Sequence, residues 1–362
     1  MEFRRDCKSF PGTFACETMT AEGYKDCSDC MFYEPIEKKV LVIQLGAMGD
    51  VIRSTSIVPA IKEKYGHNSK ISWITAAECK FFLDNTPGVD EVIVYNPQVH
   101  FRLEQEEFDV LFNLEIAPPG TLLASVTKAK EKFGYFFDRD SHPSCFNEGA
   151  RMYLEIAWSN ELNRKTKKTY QELIFQACNL KYKKQAYTFT PTIDEDYKKR
   201  FRKEKGIKDK DKVLGLNLGA GGRYPSKAWS LSRVKDFVKS VSKGYKVILL
   251  GGPNEIKLKK ELEDLPVTTN DFKNSLQEFI SVLSLCDVIV TGDSLAMHLA
   301  ISLKKPTVAL FFTTPDWQIE DYSFLKKITS PMMDKYFWSD EYHEDLVESI
   351  SVDEVLKAVQ NG

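Results

Sequence analysis

Three polar turns carry the residues of this chain best suited to chemistry: Gly46-Ala-Met-Gly49-Asp50, Gly219-Ala-Gly221-Gly222 with Lys227 downstream, and Thr291-Gly292-Asp293-Ser294 ahead of His298. Asp50 stands where a buried run gives way to a helix. It reads either as an N-cap accepting helix N–H groups or as a general base. The glycines at 219, 221 and 222 let main-chain N–H groups approach an anion, and Lys227 adds a point charge suited to a diphosphate. In the third turn, a helix start that attracts phosphate follows directly. Asp293 has an N-cap alternative and His298 a buried structural one. Gly251-Gly252-Pro-Asn-Glu255 forms a fourth turn, where Glu255 serves either a ribose hydroxyl or the next helix.

Other signals are weaker or of a different kind. The first turn is GxxG, not GxGxxG, and Ser69, Lys70 and Ile71 stand where a dinucleotide site places its acid, which argues against nicotinamide. Asp138-Arg-Asp140 has the DxD form of a Mg²⁺ or Mn²⁺ site, but Ser141-His-Pro143 continues it as a loop. The N-terminal cysteines Cys7, Cys16, Cys27 and Cys30 follow C-x8-C-x10-C-x2-C. Four such thiolates suit structural zinc, iron or an iron–sulfur cluster. Cys79, Cys145, Cys178 and Cys286 read as core or loop residues.

The elements that must position these turns follow a βαβ rhythm. Short apolar runs at Lys39–Leu45, Ile71–Thr75, Glu91–Tyr95 and Asp109–Asn113 read as strands buried on both faces, hence a parallel sheet. Val213–Leu218, Lys246–Leu250, Val288–Thr291 and Thr307–Phe312 repeat the pattern. Val234, Phe237, Val238 and Val241 share one helical face that Gly244 is placed to end. Ser351-Val-Asp-Glu354 opens a last helix as a capping box, burying Val355, Leu356 and Val359. The expectation is α/β: two doubly wound domains, residues 37–190 and 191–362, behind a cysteine-rich segment, 1–36, with the junction near 187–196.

Composition agrees with this and narrows the function. The chain has 362 residues, 43% of them hydrophobic, enough for two or three domains. Fifty basic and fifty-two acidic side chains leave a net charge of −2, so no general field favours nucleic acid or anionic lipid. The first residues lack a signal peptide's apolar core, and no apolar run reaches the ~18 residues of a membrane span, so a cytoplasmic location is expected.

Taken together, Gly49-Asp50, Lys227-Ala-Trp229, Gly251-Gly252 and Thr291-Gly-Asp293-Ser-Leu-Ala-Met-His298, in this order, resemble glycosyltransferase family 9, the bacterial heptosyltransferases of lipopolysaccharide and related glycoconjugates. The resemblance spans about residues 38–361. It implies a GT-B fold, two Rossmann-like domains facing across a cleft, and inverting transfer of heptose from ADP-heptose without a catalytic metal. It implies Asp50 as base, Lys227 against the leaving diphosphate, Glu255 at the ribose, and Asp293 and His298 at the donor sugar and phosphate. The acceptor is a glycan, lipid-linked or protein hydroxyl, with peripheral association at the inner membrane one option. One departure bears on the donor sugar: Phe311-Phe312-Thr313-Thr314 stands where relatives carry Gly-Pro. Another nucleotide-sugar donor is the alternative, as is a non-catalytic sugar-nucleotide-binding protein.

Overall fold

A computed structural model describes residues 1–219 and 221–360. The chain divides into two compact units, Met1–Ser159 with Gln171–Thr188, and Asn160–Tyr170 with Phe189–Gly362.

The first unit is built on β1 (Lys39–Ile43), β2 (Lys70–Thr75), β3 (Glu91–Val94), β4 (Glu107–Asn113), β5 (Lys128–Phe137) and β6 (Pro143–Cys145), in the order β3-β2-β1-β4-β5-β6. All pairings are parallel except that of β6 with β5. Val40 to Ile43 are fully buried, as their continuous apolar run requires of a strand covered on both faces. Leu41, Ile43, Ile74 and Leu111 pack there with Val99, Leu103 and Leu123 from the crossover helices.

In the second unit, β7 (Val213–Asn217), β8 (Lys246–Leu250), β9 (Val267–Thr269), β10 (Val288–Gly292), β11 (Thr307–Phe311) and β12 (Leu325–Thr329) form a wholly parallel sheet ordered β12-β11-β10-β7-β8-β9. Relative to its own first strand this repeats the order of the first sheet. The helix Leu231–Val241 buries Val234, Phe237, Val238 and Val241 against it, and stops at a Ser242 cap, short of Gly244. The final helix, Val352–Gln360, begins after Ser351, whose hydroxyl accepts the N–H of Glu354 at 3.3 Å; Val355 and Val359 are buried and Leu356 half-buried.

The central strands thus fall where continuous apolar runs place them, with ends one or two residues different. β5, β6, β9 and β12 are additions, and β6 starts at Pro143, where the sequence read as loop. Lys128-Ala-Lys-Glu-Lys132 and Leu325-Lys-Lys-Ile-Thr329 carry charges on exposed faces, so their strand character comes from pairing with β4 and β11 and not from an apolar run.

Candidate functional site

In an open parallel sheet, ligands bind outside the carboxyl ends of the strands at the point where strand order reverses. Each sheet here has one such point, β1 beside β4 in the first and β7 beside β10 in the second. The singled-out turns lie there: Gly46–Asp50 follows β1, Gly219–Lys227 follows β7, and Gly292–His298 follows β10.

In the first unit, Asp50 lies inside the first turn of the helix Met48–Ser54, with Ala47 at the cap position and no side-chain cap. The N-cap reading of Asp50 is therefore corrected: the helix cap falls three residues earlier. Its carboxylate instead accepts both Nε (3.0 Å) and an Nη (2.6 Å) of Arg53, one turn on. Asp50 keeps about a third of its side-chain surface exposed, while Arg53 is mostly covered. This leaves a partly exposed carboxylate steadied by an adjoining cation.

Glu115, just beyond β4, completes this turn and was not apparent from sequence. One of its oxygens accepts the N–H groups of Leu45 (2.6 Å) and Gly46 (3.1 Å) and the Gln44 side-chain amide (2.8 Å). The two loops of the switch point are thereby tied together through a single carboxylate. Burial raises the proton affinity of Glu115, the three donors oppose that rise, and Asp50 adds to it. Burial likewise pushes up the Tyr153 phenol, with Asp50 and Glu115 near enough to contribute. The available signal was Asn113-Leu-Glu115, polar residues interrupting an apolar strand end before Pro118-Pro119.

In the second unit, Lys227 Nζ donates to Asp293 at 2.7 Å, and both side chains are largely buried. The ammonium also lies 5.1 Å from the Tyr224 ring centroid and 6.0 Å from that of Trp338. Asp293 additionally accepts the Thr314 hydroxyl at 2.8 Å. Burial alone would raise its pKa; Lys227, His298 and Thr314 outweigh that and hold it down to about 2. The cap position of the helix Leu295–Ser302 belongs to Ser294, so Asp293 is not the N-cap. Ser294 does not cap with its side chain either. Its hydroxyl lies 3.0 Å from that of Thr291 and accepts from the Asn217 amide at 3.1 Å, which joins β7 to β10. The helix therefore presents N–H groups that no side chain of its cap occupies. His298 is buried within the same helix.

The glycine run has two distinct roles. A Cβ on Gly219 would meet Glu255 Oε1 at 2.3 Å, so Gly219 makes room for that carboxylate, whereas Gly221 and Gly222 face open space and Gly221 has φ +77°. Glu255 Oε2 accepts the N–H of Gly252 at 2.7 Å, the capping alternative. A cavity beside these turns is lined by Asn217, Gly219, Trp229, Thr291 and Gly292. The Thr313-Thr314 departure is built into the site: Thr314 reaches Asp293, and the Thr313 carbonyl accepts the backbone N–H of Trp338 at 2.8 Å, the residue whose ring lies 6.0 Å from Lys227.

Asp138 turns its carboxylate onto the N–H groups of Asp140 and His142, as a loop former does. Among the described residues, no group of three or more His, Cys, Asp or Glu side chains is placed to hold a metal ion, so the N-terminal cysteines are not gathered as a single-ion site. All eight cysteines are free. No helix among the described residues is long and apolar enough to cross a membrane.

Two α/β units with Rossmann strand order, each carrying polar turns at its switch point, have the GT-B architecture. The chain belongs to glycosyltransferase family 9 (heptosyltransferase), whose model matches residues 98–335. It is 21% identical over 305 residues to lipopolysaccharide heptosyltransferase 1 of Campylobacter coli, covering 77% of this chain and 85% of that one. It is 23% identical over 346 residues to lipooligosaccharide heptosyltransferase 2 of Haemophilus influenzae, covering 85% and 95%. Among solved structures, Escherichia coli ADP-heptose LPS heptosyltransferase II superposes with a TM-score of 0.65 at 18% identity, over 89% of this chain and 98% of that one.

Proposed function

We propose that this enzyme transfers heptose from ADP-heptose to a hydroxyl of a bacterial surface glycoconjugate, with inversion and without a catalytic metal. The observation that carries this reading is the Lys227–Asp293 pair at the switch point of the second sheet, flanked by Gly221, Gly222 and the open start of the helix Leu295–Ser302. That set supplies a cation and N–H donors where a diphosphate would gather charge.

In the proposed step Asp50 takes the proton of the acceptor hydroxyl as its oxygen bonds to the anomeric carbon. The bond from that carbon to the diphosphate breaks on the opposite face, so configuration inverts and the electron pair departs with ADP. Lys227 and the free N–H groups offset the growing phosphate charge. Asp293, by holding Lys227, fixes where that charge sits, with His298 and Ser294 beside the donor. Glu255 and Gly252 stand at the ribose end. Gly49 precedes Asp50 in the helix Met48–Ser54, and Gly292 ends β10 just before Asp293.

ADP release in the presence of ADP-heptose and lipopolysaccharide core acceptors tests the reading. Asp50→Ala is expected to abolish transfer while leaving ADP affinity unchanged; retained turnover would remove Asp50 as base. A donor panel decides the sugar: faster transfer from UDP-linked or other ADP-linked sugars rejects heptose.

A further inference from the structure

Lys227 is held by more than its ion pair. Its ammonium has three N–H donors, and Asp293 Oδ2, which also accepts the Thr314 hydroxyl, takes one of them at 2.7 Å. The same ammonium stands over two rings, Tyr224 at 5.1 Å and Trp338 at 6.0 Å. The chain ahead of it restrains little, since Gly221 has φ +77° and a Cβ on Gly221 or Gly222 would meet nothing within 4 Å. The restraint comes from far along the sequence. Ser226 is fully buried, and its hydroxyl accepts the His343 N–H at 2.9 Å and donates to the Glu341 carbonyl, 115 residues on, at 3.0 Å. The Trp229 indole N–H donates to the Ile350 carbonyl at 3.1 Å.

Trp338 opens this restraining segment and reaches both sides of the ion pair. Its backbone N–H donates to the Thr313 carbonyl at 2.8 Å, next to the threonine that bonds Asp293, while its ring meets Lys227. The ring is itself set edge-on to Tyr224, at 5.7 Å and 61°, and to the buried Phe337, at 6.3 Å and 84°. Two features of Trp338 are unfavourable taken singly. Its φ of +57° lies in the left-handed region that bulky side chains avoid, and its indole N–H is buried with no hydrogen-bond partner among the described residues. Leucine or phenylalanine would fill the space without burying a donor. Backbone strain of this kind persists where neighbours over-determine it, and it concentrates at functional sites. What indole adds over other side chains is the ring face that attracts a cation most strongly.

We infer that Trp338 and Tyr224 are positioning residues of the transferase, holding the Lys227 ammonium in place through the negative faces of their rings. The inference rests on the role proposed above for Lys227 against the leaving diphosphate. Lysine ends a flexible four-carbon stem, and a charge that stabilises a transition state acts fully only where it need not be reorganised first. Asp293 fixes the ammonium from one side, and the two rings fix it from others.

A double-mutant cycle on kcat, with the donor that the panel above selects, tests this. Trp338→Leu is expected to lower kcat about tenfold and Trp338→Phe to recover most of the loss, with the acceptor KM unchanged in both. In a Lys227→Ala background Trp338→Leu is expected to have no further effect, because the ring then has no cation to hold. Tyr224→Leu, with Tyr224→Phe as its rescue, is expected to follow the same pattern. Should Trp338→Leu not fold, fluorinated tryptophans placed at position 338 keep the shape and weaken the ring face stepwise, and kcat is expected to fall with each added fluorine. Equal losses with and without Lys227, or rates indifferent to fluorine, would overturn the positioning role and leave Lys227 in the chemistry. Unchanged kcat in Lys227→Ala alone would instead remove the reading of Lys227 on which the inference rests.

Discussion

Lys227 and Asp293 come from loops 66 residues apart and meet in a 2.7 Å ion pair at the switch point of the second sheet. The pair makes the lysine proposed to meet the diphosphate dependent on a carboxylate that needs it in return. Lys227→Ala would leave Asp293 largely buried with only Thr314 and His298 to offset its charge, a loss expected to cost about 3 kcal/mol of stability. The same variant is expected to slow turnover by about 10²–10³-fold, as loss of a preorganised transition-state donor does. Urea denaturation and steady-state kinetics measure the two separately; unchanged turnover would place the lysine outside the chemistry.

Acid exposes the same pair. Asp293 titrates near 2 when folded, below an ordinary aspartate near 3.9, so its ionised form favours the folded state. That contribution is complete above about pH 4 and disappears as pH falls through about 2. Unfolding free energies of wild type and Asp293→Asn, compared from pH 5 down to the lowest pH at which both fold, are expected to converge as pH falls. A gap that stays constant would assign the difference to something other than this carboxylate's charge.

At the first switch point, Glu115 binds the turn ahead of Asp50. Glu115→Ala takes the acceptor from the part-buried Leu45 and Gly46 N–H groups, the Gln44 amide keeping the Gly46 carbonyl, and is expected to destabilise by about 3 kcal/mol, whereas Glu115→Gln retains an acceptor oxygen and costs about 1 kcal/mol. Both should lower kcat with ADP affinity unchanged, since the residues that Glu115 holds lie in the first unit. Equal effects of Ala and Gln would mean that the side chain only fills space.

Two glycines with crowded surroundings should respond differently to alanine. At Gly134, φ is +90° and a Cβ would stand 1.8 Å from the Asn113 carbonyl oxygen, which is fixed in β4. At Gly219 the obstacle is the tip of Glu255, a side chain able to move. Gly134→Ala is therefore expected to cost about 3 kcal/mol or more, and Gly219→Ala under about 1 kcal/mol. In the latter the displaced Glu255 releases the Gly252 N–H, and the measurable effect is expected in the KM for the donor.

The strands that build the two parallel sheets were legible because a strand covered on both faces must be apolar throughout, and Val40–Ile43, Val247–Leu250 and Val288–Val290 are. The turns bearing Asp50, Lys227 and Asp293 were legible because glycine and polar residues abruptly end those runs. Pairing is another matter. That Lys227 answers to Asp293 and that Glu115 fastens Leu45 and Gly46 depend on β10 lying beside β7 and β4 beside β1, and that Thr314 reaches the Asp293 carboxylate depends on β11 lying beside β10. So do β5 and β12, whose lysines conceal them until a neighbouring strand supplies their hydrogen bonds. Local composition determines where the chain must be buried and where it must turn, because those are properties of a few adjacent residues. Which turn confronts which, and hence which charges neutralise one another, is decided only when strand order closes distances of 60 or more residues along the chain.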